Sequence, residues 1–510
     1  MLFRSLADAS PQPAPPAPGS GTAAPPRIGL VLGGHGRRLD PAEGTPIDFD
    51  ALYPAIAQGL AHLDLSSRRL DLPSFDPAQV QTLLDADLVL GDLSGTDPDT
   101  CYQLGLALAL RPDGVQLIMQ QGSWPGLEAL ALGLIHHYTA PAPTADGLAG
   151  FAAWLAGSLR RPETPLTRSP VYLGLDLRPP QLDTDTPAPD LPPLPSRPQA
   201  LLIQAQGQRV DPASGRSVDL DDSREALRMA LQGAGIEALS TDDDPGAPQT
   251  LQALLDADLV LADLSTLPPD TLLQLGLRHG LRAGRTLILA DTDTPLPSSL
   301  HSLQVLRYAR RGTRLDRREQ AELGQLLQAA LARLPAQTRP DSPVYAALPA
   351  LRPPTPRPIR VFMSYPQTYT PYVRPLVAAL KGLGVDVRWD MDLSSGEDWA
   401  RTLGRMLEEA DAVVCVAGRD TAAREFPMAE IHRAVELDKR LIPVLVEPIE
   451  DPLELTTRLA ANPERDGRLR YLLDGWREND FDALVADIAE RIRQRLRAPE
   501  PTPGRDTAPA

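Results

Sequence analysis

The chain has 510 residues, which at roughly 150 per domain argues against a single core. Its formal charge of −17 repels a phosphate backbone on average, so wholesale nucleic-acid binding is disfavoured, a local basic patch aside. Cys101 and Cys415 alone supply neither a disulfide framework nor a Cys-built zinc site, and neither a signal-like start nor an apolar run of about 18 residues occurs.

These features predict a cytoplasmic protein that does not enter a membrane. Proline accounts for 55 residues, about twice the usual share of roughly 5%, and clusters in a few stretches. Those stretches read as linkers that keep neighbours apart. The expected organisation is a disordered tail at 1–26, domains at 27–162, 198–337 and 358–497, Pro-rich linkers at 163–197 and 338–357, and a second disordered tail at 498–510.

In the first block a short apolar strand (28–32) leads through a turn-rich loop to a helix. A buried strand (88–91), a further helix, a third strand (115–119) and a closing helix (145–161) follow. The second block repeats this with strands at 201–205, 259–262 and 286–290 and a closing helix at 317–334. The two are copies: LLDADLVLGDLS at 83–94 returns as LLDADLVLADLS at 254–265, and QLGL at 103–106 returns at 274–277, both offset by 171. The third block reads as strand 360–364, helix 372–383, strand 386–389, helix 399–409, strand 412–416, helix 424–437, strand 441–446 and helix 481–496. Alternating strands and helices imply parallel sheets covered on both faces. The fold class is therefore α/β, three small flavodoxin-like parallel-sheet domains joined by Pro-rich linkers.

In the third block, IRVFMSY at 359–365, VDVRWD at 385–390, LSSGEDW at 393–399, ADAVVCVAG at 410–418, EFPMAE at 425–430 and LIPVLV at 441–446 stand in an order that resembles a TIR (Toll/interleukin-1 receptor) domain. The resemblance implies either a protein-interaction module or, where a particular glutamate is kept, an enzyme cleaving the nicotinamide–ribose bond of NAD. Enzymatic members place that Glu four residues after an aromatic, the spacing of Phe426 and Glu430. One helical turn puts both on one face. A carboxylate beside the ribose suits the positive charge that develops as an N-glycosidic bond breaks. The plainer reading is an acid near a helix N-terminus. Trp399 is either an aromatic against the cationic nicotinamide or a core residue at a helix start. Ser364 and Tyr365 fall at the carboxyl edge of the sheet, where parallel sheets bind ligands. Glu430 is thus the candidate catalytic residue, with Ser364, Tyr365, Trp399 and Phe426 as substrate contacts, NAD as substrate, and no cofactor or metal. The loop PQTYTP and the stretch GRDTAARE depart from the family pattern. Pro427 requires its helix to begin near 424–426.

The duplicated blocks, with DPAEGTPIDFD before the first helix, ADLVLxDLS and the YQLG turn, resemble nucleoside 2-deoxyribosyltransferase-like domains related to TRAF-binding regions. Members that break glycosidic bonds bear Glu just before the LG pair. Here both copies have glutamine, Gln103 and Gln274, and an amide is neither nucleophile nor base. Asp92 and Asp263 could hold ribose hydroxyls or cap the following turn. His35, Asp48, Asp50 and His279 show no metal spacing, and Gly33, Gly34 and Gly36 are a weak phosphate-loop hint. The resulting expectation is an NAD hydrolase or cyclase in signalling or defence, with two silent amino-terminal blocks that sense a ligand or assemble the protein. It self-associates through the TIR and amino-terminal blocks, and binds no nucleic acid or membrane. The alternative is a non-enzymatic scaffold acting by homotypic contacts.

Overall fold

The computed structural model describes most of residues 26–389 and 399–446, apart from 40–43, 45, 71–75, 122–134, 143, 160–168, 188–189, 212–213, 240–246, 419–424 and 438; beyond 446 it describes 473–474, 481, 484–486 and 488–489. Both tails, the loop 391–398 and most of the expected helix 481–496 lie outside the described residues.

The first repeat runs β1 (Ile28–Leu32), the hairpin β2 (Arg37–Leu39) and β3 (Pro46–Asp48), α1 (Phe49–Ala61), β4 (Ser66–Arg69), α2 (Pro77–Asp85), β5 (Leu88–Asp92), α3 (Pro98–Leu110), β6 (Val115–Gln120), β7 (Ile135–Tyr138) and α4 (Ala145–Leu159). Its sheet is parallel with order β4-β1-β5-β6-β7. Local chemistry starts the helices: the side chains of Asp48, Asp76 and Asp97 accept N–H bonds at the beginnings of α1, α2 and α3, the last two with proline in the first turn.

Three short elements follow, α5 (Pro170–Leu175) and the strands β8 (Leu177–Arg178) and β9 (Gln181–Leu182). The second repeat is β10 (Gln199–Ile203), β11 (Gln208–Val210), β12 (Ser217–Asp219), α6 (Asp221–Gly233), β13 (Glu237–Leu239), α7 (Pro248–Asp256), β14 (Leu259–Asp263), α8 (Pro269–Leu281), β15 (Thr286–Asp291), β16 (Val305–Tyr308) and α9 (Arg317–Leu331), with the same strand order. Then come α10 (Pro343–Ala347), β17 (Leu351–Arg352) and β18 (Thr355–Pro356). The last block is β19 (Arg360–Ser364), α11 (Thr370–Gly382), β20 (Asp386–Arg388), α12 (Trp399–Glu409), β21 (Ala412–Ala417), α13 (Glu425–Glu436), β22 (Arg440–Leu445) and β23 (Leu473–Asp474), a parallel sheet ordered β20-β19-β21-β22-β23. One aspartate device recurs in all three sheets: Asp87, Asp258 and Asp411, just before the third strand of each sheet, accept the backbone N–H of Ile28, Gln199 and Arg360 at the start of the first.

The repeats are not held apart. Helix α3 lies directly on α8, and Leu104, Leu106, Leu273, Leu275 and Leu277 belong to one continuous core with the central strands of both sheets. A Cβ on Gly105 would stand 2.2 Å from the carbonyl of Leu273, so glycine is what lets the two backbones meet. Tyr102 donates or accepts a hydrogen bond at 2.8 Å with His279 Nδ1 across this seam. Asp99 of the first repeat accepts N–H bonds from Ser298 and Ser299 of the second.

The proline-rich stretches therefore need correcting as spacers. SPVY at 169–172 and again at 342–345 forms α5 and α10. Ser169 and Tyr172 donate to the carbonyls of Leu108 and Ala109 at the end of α3, and Ser342 and Tyr345 donate to those of His279 and Gly280 on α8. After each SPVY comes LRPP, and the Leu-Arg of each pairs antiparallel with the two residues beyond the other's prolines: Leu177–Arg178 (β8) with Thr355–Pro356 (β18), and Leu351–Arg352 (β17) with Gln181–Leu182 (β9). Proline suits such two-residue edge strands, which need few backbone donors. Arg357 closes the strap, donating to Asp176 Oδ2 through Nε and Nη2 at 2.8 and 2.6 Å and lying 3.6 Å from Asp411 at the base of the third sheet.

Candidate functional site at the edge of the third sheet

Strands β19 and β21 are buried throughout their central residues, the pattern of a sheet covered on both faces. Their register sets Ser364, the last residue of β19, beside Cys415. Ser364 is fully buried, and its Oγ has no hydrogen-bond partner among the described residues. Tyr365 is only 8% exposed and its ring lies 6.3 Å from that of Trp389, tilted against it. Neither side chain is offered freely to a ligand.

Helix α13 begins at Glu425, which puts Pro427 in the first turn, where its missing N–H costs nothing. Glu430 stands in the second turn and is half-buried. Its charge reaches the sheet: burial, and then the Glu430 carboxylate, push the Cys415 thiol up to about 12. Cys415 is accordingly an inert thiol. Ser364, Cys415 and Glu430 thus share one corner at the carboxyl edge. Trp399 opens α12 and Phe426 lies one turn before Glu430, but the side chains of both lie outside the described residues.

The TIR domain sequence family matches residues 361–486, the segment that holds this corner. Residues 361–486 form a TIR domain. The TIR domain of the Toll-related receptor TRR-2 from Hydra magnipapillata is 19% identical over 26% of this chain and 97% of its own, with a TM-score of 0.21. The TIR domains of the activated Roq1 resistosome, which recognises the pathogen effector XopQ, are 20% identical over 27% of this chain and 99% of theirs, with a TM-score of 0.20. No curated protein matches the chain.

In the repeats, the candidates turn out to be framework. Asp92 is 1% exposed; it accepts the Ser94 N–H at 3.0 Å and the Tyr138 hydroxyl at 3.3 Å, and burial pushes its carboxyl up to about 6. Asp263 repeats this with Ser265 and Tyr308, adds Gln204, and is likewise raised by burial. Turn capping describes both. Gln103 is 5% exposed and donates to Ser299 of the other repeat, and Gly105, two residues on, serves the helix seam. Gly34 faces the Phe49 ring, 2.8 Å from where its Cβ would stand, so packing alone accounts for glycine there. Asp48 caps α1 and pairs with Arg37, and Asp50 pairs with Arg69. His279 is buried, its pKa lowered to about 3 by burial, so it is a neutral hydrogen-bonding residue. No group of three or more metal-ligating side chains occurs among the described residues, and no described helix is long and apolar enough to cross a membrane.

Proposed function

We propose that the TIR domain acts in signalling or defence by cleaving the nicotinamide–ribose bond of NAD. The observation that carries this reading is Glu430 in the second turn of α13, half-buried at the carboxyl edge of the sheet and electrostatically in reach of Cys415, the register partner of Ser364. In the reaction the C1′–N bond breaks heterolytically. The electron pair neutralises the pyridinium and leaves with nicotinamide, and the ribose becomes oxocarbenium-like. Glu430 stabilises that cation and holds the ribose hydroxyls. Attack by water on C1′ and loss of its proton give ADP-ribose; an internal nucleophile would give a cyclic product instead. Phe426 and Trp399 are assigned to the nicotinamide side, where an aromatic face favours a cation. The repeats are assigned sensing or assembly, since Gln103 and Gln274 carry no nucleophile.

One observation favours the scaffold reading. Ser364 and Tyr365, two of the four expected substrate contacts, are buried. Incubating the purified full chain with NAD at high protein concentration separates the two readings. Nicotinamide release supports the enzyme; intact NAD together with self-association supports the scaffold.

A further inference from the structure

The second repeat holds a cavity at the amino edge of its own sheet, where β15 and β16 begin. Its volume is about 360 Å³, within the range of small-molecule sites. Leu287, Ile288, Leu303, Leu306 and Leu334 supply apolar walls, and Arg333 and Arg339, both exposed, stand at its margin. Asp341 also lines it. Its Oδ2 accepts the N–H groups of Arg285 and Thr286 and the Gln337 amide, while its buried Oδ1 accepts nothing among the described residues. A buried carboxylate oxygen left without a donor is costly. Two guanidiniums against one carboxylate disfavour a metal ion or polyamine and favour an anion, for which Arg offers a fork matched to phosphate.

We infer that this cavity binds a small phosphate-bearing ligand whose flat, amino-substituted ring lies between the leucines and donates to Asp341, the chemistry of a purine mononucleotide. The position matters for the rest of the chain. His279, on the same wall, holds Tyr102 across the repeat seam, and Asp341 directly precedes Ser342, the anchor of α10 and the strap to the TIR domain. A bound ligand would touch both junctions.

Isothermal titration of the full chain with AMP, adenosine and inorganic phosphate tests the inference without reading NAD cleavage. AMP should bind, and adenosine and phosphate alone each at least tenfold more weakly. Arg333→Glu/Arg339→Glu should reduce AMP affinity at least tenfold, and Ala330→Trp, which fills the cavity from α9, should abolish it; circular dichroism and melting of each variant would confirm folding. Absence of AMP binding overturns the inference. So does binding that survives Ala330→Trp, or that is lost instead with Arg224→Glu, at a smaller pocket lined by Gln204, Arg224, Asp270 and Gln274 at the carboxyl edge of the same repeat, or with Glu430→Gln in the TIR domain.

Discussion

Gly105 of α3 and Gly276 of α8 stand back to back: a Cβ on Gly276 would lie 2.1 Å from the carbonyl oxygen of Tyr102 and 3.0 Å from the Cα of Gly105. Backbone on both sides leaves no flexible group to yield. Gly276→Val should therefore force the repeats apart and destabilise the chain by ~3 kcal/mol or more, the upper end for overpacking. Gly324→Ala, on α9 with nothing within 4 Å of the new Cβ, should instead stabilise by ~0.5–1 kcal/mol. Urea midpoints measure both; equal effects would refute the seam.

Asp92 makes stability depend on pH in the direction opposite to a salt-bridged acid. Its folded carboxyl titrates at about 6 against an ordinary value of 3.8, so between those values the folded state holds the proton more tightly. The contribution of Asp92 to stability is then most favourable below about 4, falls as pH rises towards 6 and stays lowered above, by at most ~3 kcal/mol. Asp92→Asn keeps the acceptor for Ser94 and cannot ionise. Its melting temperature relative to wild type should climb between pH 4.5 and pH 8; a constant difference would show that the carboxylate is tolerated.

The buried strands were readable in the sequence because continuous apolar runs such as LVL at 88–90 and AVVCVA at 412–417 have few alternatives to a covered parallel strand. The edge strands β4, SSRR, and β7, IHHY, were missed since one flank faces water and no hydrophobic alternation marks them. The straps were misread for a related reason: proline content suggested spacers, whereas the twice-used SPVY and LRPP fold only because each finds the other and the ends of α3 and α8. The place of Glu430 in the second turn of its helix was legible from Pro427, which fixes where that helix begins. The burial of Ser364 and Tyr365 was not, since sequence gives the strand end but not what packs over it.

Arg357 ties the strap to the TIR domain, bonded to Asp176 and near Asp411. Both pairs are partly exposed, so Arg357→Ala should cost no more than about 1 kcal/mol of global stability. Its local effect should be larger: amide exchange at Arg357, whose N–H is held by Asp176 O, should accelerate at least tenfold while the core of β21 is unaffected. Unchanged exchange would mean the domains are joined elsewhere.

For Glu430, the expected outcome of Glu430→Gln is a fall of about 10² or more in nicotinamide release with an unchanged melting curve, because the amide keeps the shape but not the charge that stabilises the ribose cation. Activity within threefold of wild type would remove Glu430 from the mechanism.

Assembly follows from how the repeats use their surfaces. Each repeat spends α3 or α8 on its twin within one chain, so this face cannot also join two molecules. Oligomerisation is then expected through other faces, the TIR domain's among them. Glu430 is half-buried at the carboxyl edge of the sheet, and small-ligand sites bury most of their ligand; a site completed by a neighbouring copy is the expectation to be tested. Specific activity should rise over a hundredfold increase in protein concentration, in step with the mass seen by light scattering, and Gly276→Ala should leave that dependence in place wherever it folds. Constant activity from a strict monomer would sink the shared-site idea even with Glu430 proved catalytic.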